Sequence, residues 1–205
     1  MVFLDSKFEE ELYSFDDAKD RRQRKTHKAV ELALMELLQE KNYEQITISE
    51  VTLKADVNRK TFYNNYDSLD DIIKSIERKM SALLFSKLPH KITVQNEIEI
   101  YNLLVELTQT LMPYKKVLHR ISVNRGETVF FKDVQGAILP YIEHSMMGYH
   151  IDATVIPYVG KFIINGITAI FYEWFESDNL EPEQVAKLCY NLITAAIKLE
   201  NYETI

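Results

Sequence analysis

Residues 47–68 read TISEVTLKADVNRKTFYNNYDS, and the order of polar and apolar positions in this stretch decides the fold. Thr47-Ile48-Ser49-Glu50 has the form of a capping box: the Thr47 hydroxyl satisfies an open helical N–H while Glu50 reaches back to the Thr47 N–H. It opens a short helix whose Ile48, Val51 and Ala55 share a face. Lys54-Ala55-Asp56-Val57 then makes a tight turn, and Asn58 is a good N-cap for a second short helix. Within that helix Phe62 and Tyr66 stand four apart and face inward. Arg59, Lys60, Thr61, Tyr63, Asn64 and Asn65 are left outside, near a helix N-terminus.

Working outward, KTHKAVELALMELLQEKNYE (25–44) reads as one amphipathic helix, with Ala29, Leu32, Ala33 and Leu37 on its apolar face and Leu34 and Leu38 on the flank. After Ser68, a further cap leads into the stripe Ile72, Ile73, Ile76, Met80, Leu83 and Leu84, which Pro89 closes. Three helices in about forty residues, the last two joined by a four-residue turn, form a helix-turn-helix. The outward residues then acquire a purpose. Arg reads guanine bidentately, Asn reads adenine, and Thr touches a thymine methyl. The hydroxyls of Tyr63 and Thr47 suit phosphate oxygens.

The net charge of −7 looks wrong for a nucleic-acid binder until it is divided. Residues 1–20 hold two Lys against seven Asp/Glu, a net −5, and residues 81–205 net −4. The block 21–80 nets +2 and opens with RRQRKTHK, a basic arm on an acidic body. Arg24 and Lys25 in that arm are candidates for flanking phosphates or the minor groove. The acidic leader either stays disordered or folds against the arm.

The remainder, about 97–203, reads as helices at 98–112, 114–123, 127–147, 153–177 and 183–202. No strand alternation interrupts them, so the fold class is all-α. Three segments follow: an acidic extension (1–20), a helix-turn-helix DNA-binding domain (21–88, motif about 47–66), and a helical regulatory and dimerisation domain (89–205), with the boundary near Leu88–Val94. A single cysteine, Cys189, excludes an internal disulfide framework and suits a reducing cytosol. It falls on the apolar side of the last helix as an inert packed thiol. The apolar runs fall far short of a membrane span, and the expected location is cytoplasmic.

The motifs of catalysis are missing: there is no G-x-S-x-G, H-E-x-x-H, P-loop or G-x-G-x-x-G. The His residues are scattered, and only His144 and His150 approach metal spacing, with Asp152. No enzyme, metal or cofactor is expected. Aromatic residues crowd the second domain, where Tyr101, Met112, Phe130 and Trp174 are the candidates for lining a pocket for a small apolar or aromatic effector. The helix at 153–177 is too apolar around its circumference for one neighbour. With Cys189, Ile193, Ala195 and Ala196 on the last helix, it suggests a four-helix dimer interface.

The stretch THKAVELALMELLQEKNYEQITISEVTLKADVNRKTFYNNYDSLDDII (26–73) resembles the DNA-binding domain of TetR-type transcriptional regulators. Its close matches are the aliphatic first helix, the ITISEV opening of the second and TFYNNY in the third. GKFIINGITAIFYEWFESDNLEPEQVAKL (160–188) resembles a C-terminal domain of the same family. Its Gly166 and Trp174 are similar to a subgroup that includes the dihydroxyacetone kinase regulators. The resemblance implies a homodimeric one-component regulator, usually a repressor, which a small ligand releases from a palindromic operator on double-stranded DNA. Helices 153–177 and 183–202 are the implied dimerising pair. Two departures stand out. The family commonly has Gly in the turn where this chain has Asp56, and often Lys near the start of the fourth helix where this chain has Leu69. A rival reading is a helical protein-interaction module whose helix-turn-helix binds a protein partner.

Overall fold

The computed structural model describes residues 6–17, 20–88, 97–122, 129–147, 152–177 and 179–197. Among them there is no strand, and the elements run α1 (Ser6–Tyr13), α2 (Arg21–Glu40), α3 (Ile48–Lys54), α4 (Arg59–Tyr63), α5 (Leu69–Lys87), α6 (Glu97–Leu111), α7 (Lys115–Ser122), α8 (Val129–Met146), α9 (Ile156–Glu176) and α10 (Pro182–Ile197). Short 3₁₀ turns at Tyr43–Gln45 and Met112–Tyr114 precede α3 and α7.

By contact the chain divides into two compact units. One is Met1–Leu83 with Pro113–Phe130; the other is Leu84–Met112 with Phe131–Ile205. This differs from the single boundary expected near Leu88–Val94, of which 89–94 lie outside the described residues. The difference arises because α7 packs on α2 and so joins the first unit.

In the first unit Val30, Leu34, Met35, Leu38, Val51, Phe62, Ile72, Ile73 and Ile76 are fully buried. Each such side chain contributes roughly 1.5–3 kcal/mol by leaving water. On α2 the buried face runs through Val30, Leu34 and Leu38, while Ala29 and Leu32 are half-buried. The expected Ala33 and Leu37 are buried too, and the buried face widens to the flank because α3, α4 and α7 all pack on this helix. Asp20 caps α2, accepting from the Arg22 N–H at 2.8 Å. The run RRQRK is therefore the first turn and more of a helix, not an arm ahead of one.

In the second unit α10 packs on α6 and α9. Met146, Ile156, Val159, Ile163, Ala196 and Ile197 form its core, with Ile142, Val155, Ile167 and Ile193 packed against it. Helices α8 and α9 approach closely at Gly160, where an added Cβ would lie 3.1 Å from Glu143 Cγ and Leu139 Cδ1. Trp174 is buried, has Phe171 and Phe175 beside it, and donates its indole N–H to the Leu180 carbonyl at 2.9 Å. The last helix is described as far as Ile197, and residues 198–202 of the expected span lie outside the described residues.

Candidate nucleic-acid interface

The turn between α3 and α4 is set by one backbone conformation. Asp56 has φ 53°, the left-handed region where Gly is at ease and Asp is among the better-tolerated substitutes. The capping signals flanking it are both formed. Thr47 Oγ1 accepts from the Glu50 N–H, and Glu50 Oε2 accepts from the Thr47 N–H at 2.9 Å. Asn58 Oδ1 accepts from the Thr61 N–H at 2.7 Å and starts α4.

Phe62 and Tyr66 anchor α4 to the core, with 0% and 6% of their surface exposed. Arg59, Lys60, Tyr63 and Asn64 are exposed and Thr61 is half-buried. Tyr63 stands edge-on to Phe62 and is 53% exposed. Asn64 is the C-cap of α4 and so lies at the end of the helix, not near its start. Asn65 turns back, its side-chain N–H donating to the Thr61 carbonyl at 2.8 Å. Arg59 donates through Nη2 to Ser49 Oγ and so ties α4 to α3.

Thr47 is exposed, but its hydroxyl is engaged: it donates to Glu50 Oε2 at 2.8 Å. A phosphate would have to compete with that bond. The hydrogen bond from Lys41, then those from Thr47, draw the Glu50 carboxyl down to about 2. Lys54 pairs with Glu36 and Glu40, tying α3 to α2. Leu69, standing where the family often has Lys, is half-buried at the start of α5.

Arg24 and Lys25 are exposed on α2. With Arg21, Lys28, Tyr13 and Asp16 they line a shallow hollow. The acidic leader is not loose there. Residues of α1 meet α2 at Lys28, with Glu9 Oε1 2.7 Å from Lys28 Nζ, and Leu12 is fully buried. Of the two alternatives for the leader, the described residues take the second.

Beneath this surface runs a buried polar network that the spacing of apolar residues does not reveal. Glu31 is fully buried, and its Oε1 accepts from the Tyr66 hydroxyl (2.7 Å), the Ser75 hydroxyl (2.6 Å) and Lys79 Nζ (2.8 Å). Lys79 Nζ also lies 3.5 Å from Asp16 Oδ2, and His27 Nδ1 lies 3.3 Å from the same carboxylate. Burial and the neighbouring Glu31 carboxylate hold the phenols of Tyr66 and Tyr13 well above their ordinary range. The sequence signal was a charge inside an apolar stripe: Glu31 one turn from Leu34, and Lys79 between Ile76 and Leu83.

Of the four residues expected to line an effector pocket, Phe130 falls in the first unit, and Tyr101, Met112 and Trp174 fall in the second. Within that unit Met112 is 44% exposed, Trp174 is packed among aromatics, and Tyr101 stands edge-on to Tyr190. Among the described residues no group of three or more His, Cys, Asp or Glu is placed to hold a metal ion. His150, paired with His144 and Asp152 in the sequence reading, lies outside them. No described helix is long and apolar enough to cross a membrane.

No protein-family model matches the chain. An uncharacterised HTH-type transcriptional regulator of Bacillus subtilis (strain 168), YxbF, is 23% identical over 174 residues, covering 82% of this chain. The match spans 44% of that relative's length. A TetR transcriptional regulator from Streptococcus agalactiae superposes with a TM-score of 0.61 at 21% identity, covering 85% of this chain and 97% of that one. The dihydroxyacetone kinase operon activator DhaS gives 0.60 at 21% identity, covering 84% and 96%. AlkX, a TetR family repressor from a Dietzia strain, gives 0.51 at 15% identity, covering 83% and 94%. With its helix-turn-helix and all-helical second unit, this chain has the fold of the TetR-type transcriptional regulators.

Proposed function

We propose that the chain is a sequence-specific DNA-binding transcriptional regulator of the TetR type, acting in the cytoplasm as a homodimer. The observation that carries this reading is the division of α4. Phe62 and Tyr66 fix it from within, while Arg59, Lys60, Tyr63 and Asn64 are presented to solvent as base and phosphate readers. Thr61 contributes at the edge of that surface, Thr47 at the start of α3, and Arg24 and Lys25 on flanking phosphate.

The second copy is supported by an uncovered apolar face. On α9 Tyr158 and Phe162 are 76% and 72% exposed, and on α10 Leu188 and Leu192 are 39% and 51% exposed. Gly166, one turn beyond Phe162, leaves open space where a Cβ would stand. Large aromatic residues exposed in this way are the mark of an interface. Cys189 and Ala196, expected to meet a partner, are buried in their own subunit instead. Two recognition helices related by a dyad would read a palindrome with half-sites about 34–36 Å apart.

The regulatory mode proposed is repression by operator occupancy, relieved by a small apolar or aromatic effector bound in the second unit near Tyr101. Such an effector acts only through different affinities for two arrangements of the dimer. The test of the whole reading is selection of duplexes from a random library by the purified protein. Recovery of a palindrome supports it. Recovery of no enriched sequence favours the protein-interaction module.

A further inference from the structure

We propose that Asp16, upstream of the helix-turn-helix, is a positioning residue for DNA recognition that acts through Lys79 and Glu31 on Tyr66. The inference rests on the DNA-binding reading above. Tyr66 follows α4 by one turn and, with Phe62, fixes how that helix sits on the core. Its hydroxyl is held by Glu31 Oε1 at 2.7 Å. That oxygen also takes Ser75 and Lys79, so three donors converge on one acceptor.

The balance among them depends on what else holds Lys79. Its ammonium lies between two carboxylates, Glu31 at 2.8 Å and Asp16 at 3.5 Å. Both acids and the lysine have side chains at most 5% exposed, so water screens none of these attractions. Without the Asp16 charge, Lys79 is drawn wholly to Glu31 and competes with the Tyr66 phenol for the same oxygen. A second route runs in parallel. Asp16 holds His27 at 3.3 Å, and the His27 ring is packed 5.3 Å from that of Tyr66.

Stability alone does not account for such a cluster, since buried ion pairs are often replaceable by apolar groups without loss. What the cluster supplies is geometry. A shift of Tyr66 tilts α4, and base reading is far more sensitive to tilt than phosphate contact is. The leader is thereby part of the reading head through Asp16.

The test compares affinity for a selected operator with affinity for a scrambled duplex of the same length, by fluorescence anisotropy. Asp16→Asn should lower the specific-to-nonspecific ratio about tenfold, with nonspecific affinity no lower than in the wild type, since it removes a negative charge beside Arg24 and Lys25. Tyr66→Phe should do the same, and the double variant should lose no more than the larger single loss. An unchanged ratio, fully additive losses, or equal falls in both affinities would overturn the proposal, the last marking a merely structural role. If Asp16→Asn does not fold, Asp16→Glu keeps the charge but displaces the carboxylate by one carbon, and should lower the ratio about threefold. No change there also overturns it. Wild-type protein that binds neither duplex would sink the DNA-binding reading itself, a result distinct from any of these.

Discussion

Arg59 donates through Nη2 to Ser49 Oγ, a bond that joins the exposed face of α4 to the first turn of the neighbouring helix. One donor of the guanidinium is thereby spent on orientation, and the remaining N–H groups keep the fork needed for a guanine edge. Arg59→Ala should cost roughly 1–3 kcal/mol of operator affinity and relax preference at a single base pair. Ser49→Ala should cost less, about 0.5–1.5 kcal/mol, by loosening the arginine. Competition titrations with single-base variants of the operator measure both. A larger loss for Ser49→Ala would mean that Ser49, and not Arg59, meets the DNA.

Tyr63 is half-exposed beside Phe62 and is read as a phosphate contact. Tyr63→Phe keeps the ring packing and removes the hydroxyl, so affinity should fall by roughly 0.5–1.5 kcal/mol, equally on all sequences. A changed base preference in this variant would reassign Tyr63 to the bases.

The dimer should come apart on a charge placed at the uncovered face of the second unit. Phe162→Arg or Leu192→Arg should give folded monomers in light scattering, with operator affinity lost. Ala196→Arg makes a useful contrast. Ala196 is buried in the subunit's own core, so a charge there should unfold the second unit instead. A Phe162→Arg protein that stayed dimeric would place the interface elsewhere.

Cys189 is fully buried in α10, and burial pushes its thiol up to about 12. Since the thiolate is the reactive form, native protein should leave a disulfide reagent unreacted at neutral pH, and denatured protein should consume one equivalent. Rapid labelling of the native protein would show that α10 opens readily.

Glu50 gives a pH signature with a definite sign. Its carboxyl is lowered from an ordinary value of 4.5 to about 2, chiefly by the Lys41 hydrogen bond. A lowered value means the contribution to stability is present in full above pH 4.5 and fades as pH falls towards 2. Urea midpoints of wild type and Glu50→Gln should therefore differ at pH 7 and converge progressively below pH 4.5. A difference that grew on acidification would contradict the capping role.

The helix-turn-helix was legible because its signals are local. Thr47 and Glu50 cap one helix, Asn58 caps the next, Asp56 takes the strained turn, and Phe62 and Tyr66 repeat at the helical period. The Glu31 network was hidden because its partners Asp16, Tyr66 and Lys79 are brought together only by the packing of separate helices. Periodicity assigns a face but not what lies opposite. Cys189 and Ala196 show the same limit, since an apolar position on an amphipathic helix does not say whether its own core or a partner covers it. Tyr101, edge-on to Tyr190, and Trp174, bonded to the Leu180 carbonyl, likewise acquire their neighbours only in the fold.

On the proposed function, α4 reads DNA through a small set of cations and amides. Anisotropy of a labelled selected operator, titrated across salt concentration, tests it most directly. Tight binding at low salt, a steep negative slope of log affinity against log salt, and relaxed preference at a single base pair in Arg59→Ala, with that slope reduced by no more than about one phosphate contact, are expected. Absence of binding even at the lowest salt, or binding with equal affinity for operator and scrambled duplex, would contradict it.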